Sequence, residues 1–117
     1  MPATTVTEFL RAVNEANLGR MMELFGTERG PSTVTSRNDP AVQRRQMEII
    51  QRLLRSESHR IVDSSQTASA DLVYQVELTR GTQRVRVPFT LVEARTGGWL
   101  IVQIGIDQAM PGSRRGP

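Results

Sequence analysis

The hydrophobic period of this chain changes once, near Ser58, from roughly 3.6 residues to roughly 2, which divides it into a helical front half and a sheet-forming back half. Leu72, Tyr74, Val76 and Leu78 alternate with Val73, Gln75, Glu77 and Thr79, and Val85, Val87, Phe89 and Leu91 repeat the alternation beyond Arg80-Gly81. Taking Arg80-Gly81 as a two-residue hairpin loop pairs Leu72 with Phe89, Tyr74 with Val87 and Val76 with Val85, and sets Glu77 opposite Arg84 on the other face. Gly97-Gly98 marks the next hairpin, pairing Leu91 with Ile104 and Phe89 with Ile106, so one apolar face runs through three strands. Arg60 to Thr67 reads as a weaker strand ahead of them. Pro88 lies in a strand with neighbours on both sides, which predicts a bulge and a bend of the sheet there.

In the front half, Thr5-x-x-Glu8 has the form of a capping box, followed by an apolar stripe of Val6, Phe9, Leu10, Val13 and Ala16. Asn17 can cap a second short helix that ends at Gly26 as a left-handed stop. Residues 26 to 39 are rich in turn formers around a β-branched island, Thr33 to Thr35, read as a short strand or an extended connection. Asp39-Pro40 then opens a helix that runs through Arg55. Val42, Met47, Ile49, Ile50, Leu53 and Leu54 form its apolar side, opposite Arg45, Glu48, Arg52 and Arg55.

This order predicts an α+β fold, three helices packed on a curved antiparallel four-stranded meander sheet. The 117 residues are one domain, 1–110, with a disordered tail over 111–117 that has nothing to bury. The absence of Cys removes a disulfide framework, a thiolate metal site and a cysteine nucleophile. With one His, an imidazole-built zinc site is excluded as well, and no cofactor is expected. All fifteen cations are Arg, against twelve acidic residues, and they are dispersed, so there is no basic tract to bind phosphate backbones; no nucleic acid is expected as a partner. No stretch approaches the roughly 20 apolar residues of a membrane span, and residues 1–15 lack a basic start leading into an apolar core. These features predict a soluble chain without a membrane span, cytoplasmic or an exported domain trimmed of its leader.

The run from Phe9 to Phe25 (FLRAVNEANLGRMMELF) and the run from Thr96 to Val102 (TGGWLIV) resemble the paired entry helices and the final Trp-led hairpin of the nuclear transport factor 2-like superfamily. That superfamily is a cystatin-like α+β cone which also houses ketosteroid isomerase and many bacterial domains, and the resemblance spans roughly residues 4 to 108. It implies a pocket enclosed by helices and sheet and an outer sheet face available for dimerisation. The Tyr that the superfamily's enzymes place on the first helix has no counterpart here, so their catalytic arrangement does not carry over.

Applied to the pattern above, the pocket is expected to be lined by Phe9, Val13, Tyr74, Phe89 and Ile104 and to suit a small apolar ligand. An even loop between the first two long strands puts Asp63 opposite Tyr74 on the helix-facing side, with His59 near the strand start. That is an acid–base constellation for an isomerase or hydrolase, weighed against a core Tyr and a solvated Asp. Glu93 is read as a rim carboxylate, opposite Val102. Val73, Val92, Trp99 and Ile101, with Ala94, make the outer face more apolar than solvent requires, which predicts a homodimer through that face. The leading expectation is a non-catalytic ligand-binding or protein-interaction domain.

Overall fold

The computed structural model describes residues 2–31, 39–68, 71–95 and 97–106. The Thr33–Thr35 island and the tail from Pro111 lie outside the described residues. Among these residues, helices α1 (Pro2–Asn14), α2 (Leu18–Glu23) and α3 (Pro40–Leu54) precede a four-stranded antiparallel meander. Its strands are β3 (Ser58–Gln66), β4 (Leu72–Arg80), β5 (Gln83–Glu93) and β6 (Trp99–Ile104). A two-stranded hairpin, β1 (Gly26–Thr27) and β2 (Gly30–Pro31), sits between α2 and α3. The fold is α+β. Its larger sheet is open, with β3 and β6 at the edges, neither closed nor curled.

The helices begin and end for local reasons. Pro2, which lacks an N–H, opens α1. Thr5 is therefore one turn inside the helix and not its cap; its hydroxyl donates to the Trp99 carbonyl at 3.0 Å. The chain leaves α1 through Ala16 at φ 55°, with Asn17 N–H bonded to the Ala12 carbonyl and Ala16 N–H to the Val13 carbonyl, the paired bonds of a Schellman motif. Asn17 caps α2 by accepting from the Arg20 N–H at 3.1 Å, as its sequence position predicts. Asp39 caps α3 through the Ala41 N–H at 3.0 Å, with Pro40 in the first turn. Gly26 is not a helix stop. It belongs to β1, where a Cβ would lie 2.3 Å from the Gly30 carbonyl oxygen across the hairpin, so only a glycine lets the two strands approach.

The β4–β5 hairpin turns on Gly81-Thr82, pairing Arg80 with Gln83, Tyr74 with Phe89 and Val76 with Val87. The expected register is corrected by two residues, which leaves every side chain on its predicted face. Two causes act together. Gly81, at φ 59°, takes the glycine-first place of a type II′ loop, and Arg80 is held in the strand by donating from Nη1 to the Leu53 carbonyl at the end of α3, 2.9 Å. Glu77 accordingly faces Arg86 rather than Arg84, and takes its ion pair from Arg60 on β3 at 3.3 Å.

Two one-residue irregularities reset the other registers. Between β3 and β4, Ile61 pairs with Val76 but Asp63 with Gln75, so Val62 is an extra residue. Between β5 and β6, Phe89 pairs with Ile104 but Leu91 with Ile101, leaving Val102 extra. Pro88 itself is accommodated without a bulge. Counting from the two-residue loop, it sits at a non-hydrogen-bonded position against β4, so its missing amide faces β6, which has ended at Ile104. The Pro88 carbonyl there accepts from the Gly105 N–H at 2.9 Å.

Beneath the sheet, Val6, Phe9, Leu10 and Val13 of α1 meet Val76, Leu78, Val87, Phe89, Leu91 and Ile101, with Met21, Met47, Ile50 and Leu54 from the other helices. The Phe9 ring meets Phe89 edge-on at 6.3 Å and Phe25 tilted at 6.4 Å. Leu24 and Phe25 run alongside β6, and the Ile101 N–H donates to the Leu24 carbonyl at 2.9 Å, covering part of that edge.

Candidate functional site

The residues expected to line a pocket instead fill a solid core. Phe9, Val13 and Phe89 have no exposed surface, while Tyr74 and Ile104 are half-buried against them. The aromatic packing of Phe9 on Phe89 and Phe25 occupies the space under the middle of the sheet, so no binding space remains there.

The open space lies at one end of the layer, where α2, the β1–β2 hairpin, α3 and the end of β6 fail to meet. It is a half-open groove of about 690 Å³, a size suited to a small molecule. Met22 and Phe25 form one wall, Met47, Ile49 and Ile50 the other, and Val102 with Ile106 the base; Gln43 and Gln46 of α3 and Thr27, Glu28 and Arg29 of the hairpin make the polar rim. Local rules place the α3 and β6 residues of the groove. Met47 and Ile50 are three apart on α3 and turn inward, whereas Ile49, one position round, stays 45% exposed at the lip. Val102 reaches the groove because it is the bulged residue of β6.

The rim is electrostatically uneven. Glu28 lies 3.9 Å from Arg95, whose N–H also donates to the Glu28 carbonyl. The Arg29 N–H donates to the Thr27 hydroxyl at 3.2 Å, and its guanidinium takes part in no ion pair among the described residues.

The proposed acid–base residues are not brought together. The Val62 bulge turns Asp63 to the outer face opposite Gln75, where its carboxylate is exposed and accepts from the Ser64 N–H at 2.8 Å; Ser64 takes the place opposite Tyr74. His59 stays on the helix-facing side opposite Leu78, four residues along β4 from Tyr74, a separation of about 13 Å at the usual strand rise. It borders a separate recess with Thr7, Arg11, Asn14 and Glu57, and burial pushes its pKa below the ordinary 6.5. None of the three lines the groove. Glu93 is exposed and pairs with Trp99 rather than Val102.

The outer-face patch is corrected as well. The odd-length connection between β5 and β6 turns Trp99 and Ile101 to the helix side: Ile101 is fully buried and Trp99 packs half-buried on the same core. Val73 and Val92 remain on the outer face, half-buried.

Sequence reasoning missed the groove because its lining comes from four elements and includes a bulged residue. One signal was available: Ile49 extends the apolar side of α3 further round the helix than a one-sided core contact needs. Among the described residues, no cluster of three or more His, Asp or Glu side chains could hold a metal ion, and no helix is long and apolar enough to cross a membrane. Comparison of the chain with protein-family models, with curated proteins and with solved structures finds no match.

Proposed function

We propose that this chain is a non-catalytic binding domain of the nuclear transport factor 2-like type that takes a small apolar molecule in the groove between α2, α3 and β6. The observation that carries the reading is the composition of the groove walls. Met22, Phe25, Met47, Ile49, Ile50, Val102 and Ile106 offer apolar surface on three sides, while Asp63, Tyr74 and His59 lie elsewhere. Apolar area left open to water favours an occupant by roughly 25 cal/mol per Å² covered. Two methionines in the walls add flexible, polarisable contacts that adapt to ligand shape. The order of three helices before a four-stranded meander supports the superfamily reading, with the sheet left open.

The test is saturable binding of the neutral fluorophore Nile red. The native chain is expected to bind it with a blue shift, and Ile49→Asp, at a helix position open enough to tolerate the change, is expected to abolish that binding while the circular dichroism spectrum is retained. Equal dye binding by both proteins would overturn the assignment of the groove.

A further inference from the structure

We propose that the occupant of the groove is an amphipathic carboxylate, an aliphatic chain held between the helix walls with its anionic head at Arg29; this rests on the apolar-ligand reading above. Charge is distributed unevenly around the opening. The walls and base are apolar, so they accept an aliphatic body and supply nothing to neutralise a charge buried within it. A head group must therefore sit at the rim.

The rim residues rank the possible heads. Gln43, Gln46 and Thr27 are uncharged, and Glu28 already has Arg95 at 3.9 Å. Arg29 adds a cation beside that pair and has no acidic partner among the described residues, so Glu28, Arg29 and Arg95 together leave one positive charge unpaired at the hairpin end among the described residues. A cationic head would meet repulsion there, and a neutral head would leave the guanidinium unused. A carboxylate matches its planar donor fork and can accept two parallel N–H bonds. The hairpin also aims the residue: Gly26 lets β1 and β2 close together, and the Arg29 N–H bonded to the Thr27 hydroxyl fixes the turn from which the side chain leaves.

The experiment compares dodecanoate with dodecanol, the same chain with and without the charge, as competitors of bound Nile red, below the micellar concentration of dodecanoate and the solubility limit of dodecanol. Dodecanoate is expected to displace the dye at lower concentration than dodecanol. Arg29→Gln is expected to weaken dodecanoate by about threefold to tenfold, the range of a partly exposed charge-assisted pair, and to leave dodecanol unchanged. The dodecanoate advantage should also shrink as salt is raised. Equal competition by the two compounds, or an Arg29→Gln protein with unaltered dodecanoate affinity, overturns the carboxylate proposal while the groove reading stands. Failure of both compounds to displace dye that Ile49→Asp has already shown to sit in the groove overturns the aliphatic occupant. Vesicles containing phosphatidylglycerol form the last arm: binding to them without displacement by monomeric dodecanoate would assign Arg29 to a lipid surface and overturn the proposal.

Discussion

The Thr5 hydroxyl donates to the backbone carbonyl of Trp99 across 94 residues of chain, at 3.0 Å, and so ties the first turn of α1 to the start of β6. Thr5 is 8% exposed, and little water can replace the donor. Thr5→Val keeps the shape and removes the bond, leaving a shielded carbonyl short of a partner. The expected loss is about 1–2 kcal/mol in chemical denaturation, with an unchanged slope against denaturant. A variant as stable as the native chain would show that the bond contributes nothing net.

Ala16 occupies the left-handed position that ends α1, at φ 55°, where a Cβ is strained. It is exposed, so removing its methyl costs no packing. Ala16→Gly is expected to stabilise the protein by about 0.5–1 kcal/mol, the relief of strain exceeding the added freedom of the unfolded chain. A lower thermal midpoint for this variant would contradict the Schellman geometry at the end of α1.

Asp63 and Tyr74 point to opposite faces of the sheet, which separates them energetically as well as spatially. In a double-mutant cycle with Asp63→Asn and Tyr74→Phe, the stability changes should add within about 0.5 kcal/mol. A coupling energy well above that would mean that the two groups meet, and would restore an acid–base site.

Burial of His59 lowers its pKa from 6.5, so the unfolded chain binds a proton more readily than the folded one. Unfolding free energy should therefore be fully maintained above pH 6.5 and fall as the pH drops from there toward the lowered folded-state value, below which this contribution levels off. The groups facing His59 across its recess include Arg11 and Glu57. His59→Gln should remove the expected decline below pH 6.5. A native profile as flat as that of the variant would place the imidazole in free contact with water.

Which parts of this structure were legible in the sequence follows from how each is encoded. The period change near Ser58, the Asn17 cap and the Asp39-Pro40 helix start are local signals, and each is found where the residues place it. The faces of β4 and β5 survived an error in register because the error was an even number of residues. Asp63, Trp99 and Ile101 were misplaced because each lies beside a one-residue irregularity, Val62 on β3 or Val102 and the odd loop before β6, and a single extra residue reverses a face. Nothing in the residue types at Val62 or Val102 distinguishes a bulge from a regular strand. Phe9 and Phe89 were correctly turned inward, but whether inward-facing aromatics enclose a pocket or fill it depends on how closely the layers approach, a property of the whole assembly.

Gly26 links the stability of the β1–β2 hairpin to the groove, because it builds the one and lines the other. A methyl group at this position would stand 2.3 Å from the Gly30 oxygen and 2.8 Å from the Pro31 Cα, both backbone atoms that cannot swing aside. Gly26→Ala must therefore spread the hairpin, at a cost on the order of 2 kcal/mol or more. The spreading should shift Glu28 and Arg29, so Nile red affinity is expected to fall together with stability, and any preference for dodecanoate over dodecanol should fall further than the affinity for either. Gly19→Ala provides the control: its added methyl meets no atom closer than 3.8 Å and lies in α2, where alanine is the better helix former, so it should leave stability unchanged or raised and dye binding intact. A Gly26→Ala protein that matches this control in both measurements would mean that β1 and β2 do not approach as closely as their pairing requires, and that Arg29 is not held at the rim by the hairpin.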